Sequence, residues 1–371
     1  MKLISLPNSR FSAPFFFWLL IFTLIHGCDS QGNQAPFTPS LPIDSNGESA
    51  CELDPDFLSS VLGRDVIPAL SDPDLVSAES ISYLKDEDLV LGIELENEVI
   101  AVPHNILWHH EIINFNSFSI PFSVTYCPLT GSGIVIDRTD LGGVEFGVSG
   151  LLYRNNLVLF DRNPEESLWP QLSRSSKCGP AFSTQLFTIP VLEMTWSAWK
   201  SLHPSTRVVS STTGYDRDYT RNPYGNYNEP NNGALLFEMP IDNRRPPKER
   251  TLVLPQGDGG LAFPFGVIDD GSSLRAIQTQ FRGQHIVVLW TKEGNSAMAY
   301  SLDQATQAPV ILVENNTFVD KETGSVWQID GRAVEGQLKG RRLKPVSNAY
   351  VAFWFAWTAF HPETDIWQNT P

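Results

Sequence analysis

Six residues recur at one spacing. Trp169, Trp196, Trp199, His203, Pro204 and Thr206 are answered by Trp327, Trp354, Trp357, His361, Pro362 and Thr364, each 158 positions later. Six matches at one offset, in residue types as scarce as Trp and His, point to an internal duplication. A unit of this size is too long for a solenoid of short repeats, so two domain-sized copies packed about a pseudo-twofold axis are expected. The correspondence extends upstream with small insertions. Leu89-Val90-Leu91 and Ala101-Val102-Pro103 answer to Leu252-Val253-Leu254 and Ala262-Phe263-Pro264, at offsets of 163 and 161.

Both copies are dominated by short runs of Val, Ile, Leu and Phe punctuated by Gly, Asn and Asp. Residues 89–95, 122–126, 134–137, 157–160, 286–290 and 310–313 read as β-strands. Each copy closes on a short helix, because Trp196, Trp199 and His203 lie on one helical face and Pro204 forces the chain out of the helix. Trp354, Trp357, His361 and Pro362 repeat that pattern. The expected fold class is mainly β, or α+β, with two β-rich lobes that each carry a Trp-containing helix. The expected boundaries are a first lobe over 83–215, a Tyr- and Pro-rich segment over 216–250 and a second lobe over 251–371. Residues 50–82 hold acidic, helix-compatible stretches and are expected as an N-terminal appendage.

At 371 residues, with 42% hydrophobic and only 18% charged positions, each lobe can bury a core without staples. The formal charge of −16 argues against a nucleic-acid partner, which would need clustered Lys and Arg. The one basic run, Arg244-Arg245-Pro246-Pro247-Lys248-Glu249-Arg250, reads as a solvated linker.

The start of the chain reads as an address. Lys2 and Arg10 precede an uncharged apolar run over 11–25, shorter than a membrane-spanning helix, and then Ile25-His26-Gly27-Cys28. The pattern predicts a lipoprotein-type signal peptide over 1–27, lipidation at Cys28, and a flexible tether over 28–49. The mature protein is then expected in the cell envelope, exported and held to a membrane by its lipid anchor, facing the periplasm or the exterior. With Cys28 set aside, Cys51, Cys127 and Cys178 remain, so one thiol at least stays unpaired.

The two copies differ in chemistry. After Pro103 the first reads His104-Asn105-Ile106-Leu107-Trp108-His109-His110-Glu111-Ile112-Ile113-Asn114, followed by a strand ending in Tyr126-Cys127-Pro128-Leu129; after Pro264 the second has no His, Glu or Cys before Phe281. Three chemistries fit this cluster. Cys127 activated by His110, with Glu111 or Asn114 orienting the imidazole, would be a nucleophilic or redox thiol. Cys127 with His110, His104 or His109 could hold copper or zinc. In the third, Cys127 is an inert buried thiol and His110 and Glu111 bond to backbone. The Trp and His residues shared by both copies are expected to be frame. Gly147-Val148-Ser149-Gly150 lacks the last Gly of a nucleophile elbow and reads as a turn between strands. Arg217, Tyr219 and Tyr224, in the segment between the copies, are candidate ligand-binding residues. A non-catalytic module that binds glycans or partner proteins through them is the alternative to an enzyme.

Several of these stretches resemble the bacterial domain-of-unknown-function family numbered 3179 (DUF3179). The resemblance rests on His110-Glu111-Ile112-Ile113-Asn114, Val124-Thr125-Tyr126-Cys127-Pro128-Leu129, Phe146-Gly147-Val148-Ser149-Gly150-Leu151-Leu152, Ser167-Leu168-Trp169, His203-Pro204, Arg217-Asp218-Tyr219 and Phe353-Trp354-Phe355-Ala356-Trp357. It covers roughly residues 85–365 and implies an exported or membrane-attached protein without an established activity. The family pattern commonly carries a second Cys at the position of Thr130. Here Thr130 rules out a dithiol cycle within the motif and leaves a monothiol, a Cys/His metal site or a decayed site.

Overall fold

The computed structural model describes residues 51–96, 98–302 and 310–368. The signal, Cys28 and the tether lie outside them. The chain is β-rich, with six sheets and four short α-helices among the described residues. None of these helices is long and apolar enough to cross a membrane.

Two of the sheets share one order. In the first, strand Leu192–Thr195 pairs antiparallel with Leu89–Leu95, which pairs antiparallel with Glu98–Pro103, and Arg207–Val209 then lies parallel to Glu98–Pro103. In the second, Tyr350–Phe353, Arg250–Gln256, Gly259–Pro264 and Glu363–Ile366 follow the same order and the same senses. Helices leave both sheets at matching points: α1 (His104–His110) after Pro103, α2 (Trp196–Leu202) after Thr195, α3 (Phe265–Ile268) after Pro264, and α4 (Trp354–Phe360) after Phe353. As the proline spacing predicts, α2 and α4 stop at His203 and His361.

The 158-residue offset carries hydrogen bonds with it. Trp199 Nε1 donates to Thr206 Oγ1 at 3.0 Å, and Trp357 Nε1 donates to Thr364 Oγ1 at 2.8 Å. Both hydroxyls in turn donate to a carbonyl of the neighbouring hairpin, Val99 or Gly260. A Cβ on Gly92 would lie 2.2 Å from the Trp199 ring, so the indole packs directly on backbone. The shared Trp and Thr residues are thus frame in both halves.

Period-two alternation explains the core. Strand Leu89–Leu95 is covered on both faces and sends Leu91 and Ile93 toward Ile113, Val124 and Val135. Val90 points the other way, into a cluster with Trp199, Val287, Leu289, Tyr300 and Trp327, which unites residues of both halves.

Residues 50–82 depart from the expected appendage. Short strands at Leu58–Ser60, Leu70–Ser71 and Leu75–Ser77 join three different sheets of the first half. These strands of two or three residues alternate with single 3-10 turns at Pro55–Phe57 and Ala78–Ser80. The Gly147-Val148-Ser149-Gly150 stretch is no turn either. It runs inside strand Phe146–Tyr153, where the register shifts opposite Leu157 and Leu159. Gly150 takes φ +76°, and a Cβ there would meet the Leu62 carbonyl at 2.1 Å, so glycine is required by a bulge and a close crossing. Ser149 donates its hydroxyl to the Val158 carbonyl and is occupied.

Candidate functional site

Cys127 ends strand Phe122–Cys127 and Glu111 follows α1, one step before strand Ile112–Phe115, which pairs with it. The backbone joins them closely: the Tyr126 N–H donates to the Glu111 carbonyl at 2.8 Å. Glu111 adopts φ +57° and ψ −31°, a conformation that costs a non-glycine residue roughly 1–3 kcal/mol. That kink lets adjacent side chains on one short segment diverge. His110 goes to one pocket and Glu111 to another.

His110 is fully buried, and both its ring nitrogens are used. Nδ1 lies 2.8 Å from the Pro68 carbonyl, which can only accept, so Nδ1 carries the proton and Nε2 accepts from the Tyr219 hydroxyl at 2.7 Å. Thr213 Oγ1, 2.5 Å from that hydroxyl, completes the chain by donating to it. Burial pulls the His110 pKa down to about 4, so the ring is neutral at physiological pH. Among the described residues its ring nitrogens meet Pro68 and Tyr219, not Cys127. Tyr219, expected as a ligand contact, has its hydroxyl spent inside the fold, and its own carbonyl accepts from Asn105. Arg217 is half-buried on the same segment, its guanidinium donating to the Asp216 carbonyl.

Asn114 is likewise a structural residue. Its amide donates to the carbonyls of Leu70 and Phe146 and accepts from Ser123 Oγ and the Phe146 N–H, tying four strands together. His104 stacks on Tyr126 at 4.1 Å between centroids, with Nε2 3.7 Å from Glu193 Oε1. Burial and then the Arg250 charge push its pKa down to about 3. The expected copper or zinc set of Cys127, His110 and His104 does not assemble. Among the described residues, ligand-type atoms converge at Glu94, His203 and Asp330 instead.

What surrounds Cys127 is carboxyl, phenol and hydroxyl. The thiol is buried and unpaired, while Cys51 and Cys178 form a disulfide, so neither serves as its partner. It donates weakly to the Asn155 carbonyl at 3.9 Å. Burial, followed by the neighbouring Glu111 charge, raises its pKa to about 11, whereas hydrogen bonds from Thr130 and Leu157 pull the other way. Glu111 is 8% exposed, and its carboxyl has no hydrogen-bond or ion-pair partner among the described residues. Burial alone lifts its pKa to about 8. Half-buried Tyr224 stands within electrostatic reach of Glu111, Cys127, Tyr126 and Tyr227, and burial raises its phenol well above the ordinary range.

The 216–250 segment closes this end of the site. Tyr227 donates to the Leu129 carbonyl at 3.0 Å, and Phe237 exchanges hydrogen bonds with the side chain of Asn155. The basic run, expected as solvated linker, is partly interior. Lys248 is completely buried with Nζ 3.2 Å from the Tyr227 ring centre, burial lowers its pKa to about 7, and Arg245 pairs with buried Glu249. The charges and prolines that suggested a linker thus belong to a run whose Lys248 and Glu249 pack inside the fold. Sequence spacing offered no sign that Tyr227 stands within electrostatic reach of Cys127, or that Lys248 packs against the Tyr227 ring.

Thr130 stands beside the thiol in a buried network. Its hydroxyl is 2.9 Å from Ser132 Oγ and accepts from Asn156, and Gln171 links both residues to Thr125. A family model described as a protein of unknown function (DUF3179) matches residues 64–364. The chain belongs to the DUF3179 family. No curated protein and no solved structure matches it. In this DUF3179 protein the position after Cys127-Pro128-Leu129 is filled by a hydroxyl with partners of its own, and the Thr130 N–H donates to the Cys127 carbonyl in a tight turn.

Proposed function

We propose that this DUF3179 protein is an exported, lipid-anchored cell-envelope protein whose reactive centre is an acid–base and thiol pair, Glu111 and Cys127, covered by Tyr224. The observation that carries this reading is Glu111: a buried carboxyl without a partner among the described residues, on a strained backbone, beside the one free thiol described. A pKa of about 8 keeps both its protonation states within reach near neutral pH, as a general acid or base requires. Cys127, at about 11, stays a thiol until a base relieves it. Interacting groups of this kind lose their protons in two steps that belong to the pair, the carboxyl first and the thiol second. A small, largely uncharged ligand suits a site without a fixed ionic partner. The lipid anchor at Cys28 and export rest on the leader sequence, and the Cys51–Cys178 disulfide supports an oxidising compartment.

The rate at which a small neutral electrophile such as iodoacetamide modifies Cys127 tests the pairing. The profile against pH is expected to show a step near 8 from Glu111 acting as base, before the rise toward 11. In Glu111→Gln the step near 8 should vanish while the upper rise persists. A step that survives in Glu111→Gln would refute the assignment.

A further inference from the structure

A second cluster, independent of the Glu111 centre, lies where the first half meets the second. Glu94 stands on strand Leu89–Leu95, His203 caps α2, and Asp330 sits between strands Val326–Trp327 and Ala333–Glu335. One ligand-type atom from each lies within 4.8 Å of the other two. His203 is only 6% exposed, and its Nε2 has no hydrogen-bond partner among the described residues. That nitrogen nevertheless faces two carboxylates, 3.4 Å from Asp330 Oδ2 and 3.7 Å from Glu94 Oε1.

These separations are informative. A charge-assisted N–H···O bond closes to about 2.7–2.9 Å. Two donors bound at about 2.0–2.2 Å to one tetrahedral ion lie roughly 3.3–3.6 Å apart. The cluster therefore has the spacing of ligands around a common centre more nearly than that of hydrogen-bonded partners. Both carboxylates are already held: Arg342 donates to the outer oxygen of Glu94, Oε2, at 2.8 Å, while the Arg332 guanidinium pairs with Asp330 Oδ2, the same oxygen that faces His203, and the Arg332 backbone N–H donates to Asp330 Oδ1 at 3.0 Å. Such contacts orient ligands. They also balance the two carboxylate charges, so electrostatic attraction alone does not draw in a hard cation. The imidazole lone pair favours a borderline ion over calcium or magnesium. Glu94 keeps 20% side-chain exposure against 5% and 1% for His203 and Asp330, which places the solvent side and an open coordination position at Glu94.

The second half provides an internal control. His361 occupies the equivalent place after α4, but Gly257 stands where the 163-residue offset would put a partner for Glu94. Among the described residues the His361 Nδ1 meets the Gly257 carbonyl, at 3.1 Å, and no carboxylate. We propose that Glu94, His203 and Asp330 form a divalent-metal site of the zinc class, binding one ion per chain and joining α2 to the second half of the fold.

The purified protein, stripped with a chelator, would be titrated with Zn2+ and, as a spectroscopic stand-in, Co2+. One ion per chain, a higher Tm and a visible Co2+ band are expected. His203→Gln and Glu94→Gln should each weaken binding by about 100-fold or more. His361→Gln should bind like the parent. Glu94 is the more exposed ligand, so its variant tests the site even if His203→Gln does not fold. Failure to take up an ion, or equal affinity in Glu94→Gln, would overturn the proposal. So would stabilisation that appears only on acidification and without metal, which would make the cluster a proton site.

Discussion

Replacing Glu111 by Gln should change how stability depends on pH more than stability at any one pH. The carboxyl titrates near 4.5 when solvated and near 8 in the fold, so the folded state holds its proton more tightly. The sign follows directly. Below about pH 4.5 both states are protonated and the group is neutral in the balance; as pH rises toward 8 the unfolded state gains the free energy of ionisation and the fold loses ground. At 1.36 kcal/mol per pKa unit the full loss approaches about 5 kcal/mol, of which about 4 kcal/mol falls between pH 5 and pH 9. That is a large share of the roughly 5–15 kcal/mol that holds an ordinary domain together. The slope of the parent alone would mislead, because Lys248 is held down to about 7 and contributes in the opposite sense, with stability rising as pH goes from 7 toward 10.5. The difference between Glu111→Gln and parent isolates the carboxyl. Urea unfolding of both chains from pH 5 to pH 9 should show Glu111→Gln gaining about 4 kcal/mol relative to parent across that span. A difference that stays flat within about 1 kcal/mol would mean the carboxylate is solvated or paired, and the argument for the site would fail.

Two further outcomes follow from the frame. Asn114→Ala leaves Ser123 Oγ and the Phe146 N–H without their acceptor and the Leu70 and Phe146 carbonyls without that donor, and should cost about 2–4 kcal/mol in urea unfolding without moving the Cys127 pH profile. Reducing the Cys51–Cys178 disulfide, which closes a separation of 127 residues, should cost about 4–5 kcal/mol by loop entropy, read as a lower urea midpoint in reductant.

Much of the frame was legible in the sequence because its causes are local. Leu89–Leu95 announces itself by composition, and α2 and α4 by two Trp on one face before His-Pro. Counting cysteines requires at least one unpaired thiol, and the Cys51–Cys178 disulfide makes it Cys127. The site was legible only in part, because its causes are not local. His110 and Cys127 are close in sequence, yet one positive φ at Glu111 turns the imidazole toward Pro68 and Tyr219 and leaves the carboxyl with the thiol. No periodicity records that angle. Lys248 comes from a run whose prolines and charges look like linker, and burial of a lysine between the Tyr227 ring and the Ala234 carbonyl depends on tertiary packing that composition does not express. His203 and His361 are alike in sequence context. They differ because Glu94 and Asp330 face the first, while a glycine carbonyl faces the second.

The account stands on Glu111 being a neutral carboxylic acid in the fold at pH 7. Infrared difference spectroscopy between the parent and Glu111→Gln reads that state without needing a ligand. A protonated-carboxyl band present at pH 7, absent from the variant and lost with a midpoint near 8, is the predicted result. A band already gone by pH 5 would contradict it.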